Sequence, residues 1–103
     1  MTDSGAVQTK WIDRYVLIYE SPSSAREKSA QFFAAHSAYA AEFRGRRPGQ
    51  LLMIGPFANP KDGALAIFKT REAAEAFAAG DPFVLNGVVK SWQIREWLEA
   101  VAN

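Results

Sequence analysis

Tyr15-Val16-Leu17-Ile18-Tyr19 is the stretch that decides the architecture. A run of β-branched and aromatic residues that stops at Glu20-Ser21-Pro22 reads as a strand. Successive side chains of a strand point to opposite faces. Here both sets are apolar: Val16 and Ile18 on one side, Tyr15, Leu17 and Tyr19 on the other. Such a strand must be covered front and back.

Outward from it, Ser24-Ala25-Arg26-Glu27 has the spacing of a capping box and opens an alanine-rich helical stretch. Gly45 suits a left-handed end to that helix, and a second helix start near Ala34 is an alternative, since Phe32-Phe33 and Ser37 are weak helix formers. Leu51 to Phe57 and Ala64 to Lys69 read as the next two strands, and Asn59-Pro60-Lys61-Asp62-Gly63 as the turn between them. Thr70 caps a second helix whose stripe is Ala73, Ala74, Phe77 and Ala78, ended by Gly80. After the apolar loop Asp81 to Gly87, Val88 to Trp97 reads as a fourth strand, and Leu98 to Asn103 as a possible turn of helix. Residues 1–13 read as a polar N-terminal leader and residues 14–103 as the domain.

The order strand, helix, two strands, helix, strand is the ferredoxin-like βαββαβ plan: α+β, with a four-stranded antiparallel sheet. Right-handed crossovers put both helices on one face. Strands two and three are also apolar on both sides, with Leu52 and Ile54 against Leu51 and Met53, then Leu65 and Ile67 against Ala66 and Phe68. Leaving several such side chains in water forfeits roughly 1.5–3 kcal/mol each. A second copy packed sheet to sheet is therefore expected, a homodimer; shielding by the leader and tail is the alternative.

The chain has 103 residues, enough for one domain, and a formal charge of +1. No clustered basic face for nucleic acid is expected. Arg44, Arg46 and Arg47 read as a solvated loop after the first helix or as a rim attracting an anionic substrate. Without cysteine, disulfides, thiolate nucleophiles and Cys-based zinc sites are excluded. No apolar run approaches the ~18–20 residues of a membrane span, and Met1 to Gln8 lacks the apolar core of a secretory signal, so a cytoplasmic protein without membrane partners is expected.

His36 is the one histidine, and it lies near a Phe32, Phe33, Tyr39, Ala40 and Phe43 stripe. A lone histidine there is either a satisfied core residue or a general acid–base group. It does not make a conventional zinc site, and no cofactor or metal is expected. Asp81 follows the second helix, whose upward run brings it to the end of the sheet where the first helix begins, so the two residues can meet if His36 lies in the upper half of its helix. Asp before Pro also caps turns, and the two roles are compatible. If they meet, the carboxylate fixes the imidazole tautomer and leaves the other nitrogen to a pocket. Gly55-Pro56-Phe57 ends a strand and serves either a hairpin or the close approach of a ligand. Tyr39, Gly55, Pro56, Phe57, Phe83 and Ser91 are the candidate pocket lining. Ser37 and Ser91 lie in no nucleophile elbow, and there is no phosphate-cradling glycine loop or dinucleotide fingerprint.

These pieces resemble the YCII-related (YciI-like) family of the dimeric α+β barrel superfamily. The resemblance rests on Tyr15-Val16-Leu17-Ile18-Tyr19, the helical His36, Leu51-Leu52-Met53-Ile54-Gly55-Pro56, Glu72-Ala73-Ala74-Glu75-Ala76, and Asp81-Pro82-Phe83 with Gly87. It implies His36 and Asp81 as an active-site pair in a homodimer with clefts near the helices. The functional expectation is a small-molecule enzyme of isomerase or lyase type using that pair; the alternative is a non-catalytic binding or accessory module with the same pocket.

Overall fold

A computed structural model describes residues 8–22 and 25–102. Strand β1 spans Thr9–Glu20 and is followed by helix α1, Ala25–Arg46. Strand β2, Leu51–Pro56, a 3-10 turn at Pro60–Asp62 and strand β3, Ala64–Phe68, form the central hairpin. Helix α2, Arg71–Gly80, the single turn α3, Pro82–Leu85, and strand β4, Ser91–Ala102, complete the chain. The strands form one antiparallel sheet in the order β2-β3-β1-β4, the ferredoxin-like order expected from the sequence.

The alternation in β1 sorts the two faces. Leu17 and Tyr19 are buried beneath the helices, and their partners across the ladders are Ala66 and Ala64 of β3. Phe43 of α1, Phe68 of β3 and Phe77 of α2 meet at the centre, with Phe43 edge-on to Phe77 at 5.1 Å between ring centroids. Ala73, Ala74 and Ala78 are fully buried, as the stripe predicts; their small side chains let α2 lie close against the sheet. Thr70 caps this helix by accepting a hydrogen bond from the Ala73 N–H at 3.1 Å. The opposite face carries Val16, Ile18, Leu65 and Ile67, with Met53 64% exposed, and no element of the described chain covers it.

Three local expectations are corrected. Helix α1 is continuous through Ala34 and Gly45, ending at Arg46; the left-handed glycine is Gly49, with φ 77°, beyond the helix end. Gly80 ends α2 as expected, without a positive φ, and a Cβ there would lie 2.6 Å from the Tyr39 hydroxyl oxygen. The fourth strand starts at Ser91, with Val88 and Val89 buried ahead of it. The leader and tail are strand from Thr9 and up to Ala102: Thr9–Arg14 pairs with Trp97–Ala102 as a two-stranded ribbon past the end of β3. A helical turn at Leu98 would have left the Thr9–Arg14 backbone unpaired, and the Arg14 guanidinium ties the ribbon to Glu99 at 2.8 Å. The expected capping hydroxyl of Ser24, residues 1–7 of the leader and Asn103 lie outside the described residues.

Candidate active site

Asp81 is the polar residue around which the site is built. It ends α2, its own N–H bonding the Phe77 carbonyl at 3.1 Å, and it caps α3, where Pro82 takes the first position with no N–H to satisfy. Its side chain has no solvent exposure, so every acceptor on it needs a donor from the protein. Three arrive. The Phe83 N–H donates to Oδ1 at 3.0 Å, His36 Nδ1 meets the same oxygen at 2.8 Å, and the Tyr19 hydroxyl donates to Oδ2 at 2.7 Å. Turn capping and partnership with His36 thus coexist on one carboxylate.

With Asp81 as a carboxylate, Oδ1 accepts both from the Phe83 N–H and from His36 Nδ1, and the imidazole is then the Nδ1–H tautomer. Nε2 is left as the nitrogen that can take or return a proton. The ring is clamped as well as bonded: it stacks on Phe83 at 3.9 Å with 1° between planes, and Phe77 meets it edge-on at 6.4 Å. His36 comes from near the middle of α1, where the side chain retains 14% exposure.

His36 lines a cavity of about 180 Å³ between α1 and the sheet. Leu17, Ile54, Ala66, Val88 and Val89 make its walls apolar, and Ser21 and Ser29 bring hydroxyls. Of the expected lining residues, Gly55, Pro56 and Phe83 are present. Tyr39, Phe57 and Ser91 are not among the lining residues. Tyr39 donates to the Phe77 carbonyl at 2.9 Å and fastens α1 to the end of α2. Phe57 is 41% exposed past the end of β2, and Ser91 donates to Glu20 at 2.6 Å beside a separate groove. The arginines at the end of α1 do not line the cavity either; Arg47 lies over the Phe43 ring and reaches Glu72 at 3.3 Å.

Ser29 and Phe33 are lining residues that the reading of the sequence missed. The signal was present, since positions 29, 33 and 36 share one helical face. The sequence pattern gives Tyr19 only a place on an apolar face of the first strand, and its bond to Asp81 comes from the structure. Burial first, and then the charge of Asp81, push the Tyr19 pKa far above the usual tyrosine range, so the phenol stays a donor. Tyr39 is raised in the same way, by burial and then by Asp81, with Arg46 and Arg47 opposing. Among the described residues, no group of three or more His, Asp or Glu side chains is placed to hold a metal ion.

A family model described as the YCII-related domain matches residues 14–98. Among curated proteins there is no match. Solved structures share the fold, two of them from named bacteria. One is 5-chloro-2-hydroxyhydroquinone dehydrochlorinase (TftG) from Burkholderia phenoliruptrix AC1100, in complex with 2,5-dihydroxybenzoquinone; it is 18% identical, with a TM-score of 0.64 over 82% of this chain and 92% of that one. The other is protein SO0527 from Shewanella oneidensis, 14% identical, with a TM-score of 0.51 over 91% of this chain and 99% of that one.

Proposed function

The chain belongs to the YCII-related family, and from that premise we propose that it is a small-molecule enzyme whose His36–Asp81 pair moves protons in an isomerase- or lyase-type reaction. The observation that carries this reading is the 2.8 Å contact of His36 Nδ1 with Asp81 beside an apolar cavity that the imidazole itself lines. Held this way, Nε2 takes a proton from the substrate as general base and returns it, to the same molecule or to solvent, as general acid. Asp81 orients the ring and stabilises the imidazolium that forms in between. A cavity of about 180 Å³ holds one ring with few substituents, since ~150 Å³ already accepts benzene. Apolar walls favour a flat organic metabolite over a nucleotide or a peptide. The quinone bound by the dehydrochlorinase relative supports the same substrate class, and loss of HCl is an elimination of the kind proposed.

The uncovered sheet face supports a homodimer through Val16, Ile18, Leu65 and Ile67. Sedimentation at micromolar concentration is expected to give twice the chain mass; a single-chain mass would remove this part of the reading.

For the chemistry, 5-chloro-2-hydroxyhydroquinone and related hydroxylated rings are the probes, with chloride release and ring absorbance as readouts. His36→Ala is expected to lower turnover about 10²–10⁴-fold with the fold intact. Unchanged turnover in that variant would refute the acid–base role. Rings that raise the melting temperature of the wild-type protein and leave it untransformed would point instead to a binding module.

A further inference from the structure

Asp81 has two oxygens, and the assigned chemistry uses one of them. Oδ1 faces His36 and the Phe83 N–H. Among the described residues, Oδ2 meets one donor, the Tyr19 hydroxyl, at 2.7 Å inside the core. A buried carboxylate oxygen without that donor would be strongly basic and free to turn toward any other proton, including the one on His36. Tyr19 is itself fixed with little latitude. It ends the buried alternation of β1, is 6% exposed, and its carbonyl oxygen lies against Gly63, where a Cβ would come within 2.0 Å. The phenol therefore reaches Asp81 from the sheet, while the imidazole reaches it from α1.

We propose that Tyr19 is a positioning residue for the His36–Asp81 pair. Its hydroxyl holds Oδ2 so that the carboxylate offers His36 an acceptor of limited strength, and the proton taken from substrate rests on the imidazole. The inference builds on the acid–base reading above. Two consequences follow for the pair. The carboxylate cannot rotate, because Oδ1 and Oδ2 are each tied to a different element. The strength of the Nδ1–H···Oδ1 bond is set by how much of the carboxylate's charge Tyr19 draws away, since hydrogen bonds to one group are coupled.

The test uses the fact that the chain has a single histidine, so the imidazole N–H resonance of the folded protein needs no assignment by mutation. In wild type, in Tyr19→Phe and in protein with 3-fluorotyrosine at position 19, the His36 Nδ1–H proton resonance is measured. Removing the hydroxyl makes Asp81 a stronger acceptor and moves the resonance downfield. Fluorination makes the phenol a stronger donor and moves it upfield. Turnover of an active probe is expected to fall about 10–100-fold in Tyr19→Phe, in kcat with KM little changed. The fluorotyrosine protein keeps every bond, so it carries the test if Tyr19→Phe fails to fold. The same resonance position in the wild type and the folded variants would overturn the proposal, because a merely structural tyrosine would not order the three. The resonance needs no substrate, whereas the acid–base reading fails through undiminished turnover in His36→Ala, so the two failures are distinguishable.

Discussion

Replacing Asp81 by Asn and by Ala removes different amounts of the same network, and the difference can be worked out. Asp81→Ala deprives the Tyr19 hydroxyl, His36 Nδ1 and the Phe83 N–H of their acceptor together. Each buried donor left unpaired costs about 1–3 kcal/mol. His36 keeps 14% exposure and recovers part of its share from water, which places the sum near 4–6 kcal/mol. Asp81→Asn keeps an acceptor for His36 and Phe83, removes the charge, and sets an amide NH₂ against the tyrosine hydroxyl. Its cost is about 2 kcal/mol, the difference between charged and neutral hydrogen bonds plus one reversed contact. For a chain of this size 1 kcal/mol moves Tm by about 4–8 °C, so Asn lowers it by about 8–16 °C and Ala by at least twice as much. Circular dichroism melts, with urea unfolding to check that the m-value is conserved, make the comparison. Equal melting temperatures for the two variants would refute the view that the three donors depend on this carboxylate.

Gly63→Ala places a Cβ 2.0 Å from the Tyr19 carbonyl oxygen at a φ of 90°, a backbone clash in a conformation that disfavours side chains; a loss of more than about 3 kcal/mol is expected in urea unfolding. Alkaline pH acts on Tyr19, whose pKa is raised on folding above the ordinary 10.0. The folded state holds a proton that the unfolded chain releases, so this contribution is whole below pH 10.0 and is lost as pH rises beyond it, at about 1.4 kcal/mol per pH unit. Stability measured between pH 9 and 11 should fall more gently in Tyr19→Phe; identical slopes would contradict the assignment.

The fold was legible because its signals are local. Two-sided apolar alternation in Tyr15 to Tyr19, turn formers from Asn59 to Gly63 and the alanine stripe of α2 each specify an element without help from the others. The meeting of His36 with Asp81 was legible as a condition, since the topology brings the end of α2 toward α1 and Asp-Pro marks the turn. Tyr19 was illegible in its second role because an aromatic residue at a strand end has the same pattern whether it packs or donates; only the approach of Asp81 from a distant helix separates the two. The ribbon was missed for a similar reason. Lys10, Asp13 and Glu99 interrupt the apolar pattern, and nothing in either segment alone reveals that their backbones satisfy each other. Gly45 misled because glycine is tolerated inside a long helix, while the reversal it was expected to make falls at Gly49.

That ribbon has a practical use. Thr9 and Ala102 sit opposite each other across the ladder, at the far end of β1 from Tyr19, and ten residues of extended chain separate that tip from the wall of the cavity by roughly 33 Å. A fluorophore, an affinity handle or a short peptide joining the two ends can be attached there without touching the chemistry. Reopening such a joined chain within the surface turn near Lys61 would make a permuted protein that separates the requirements for folding from those for turnover.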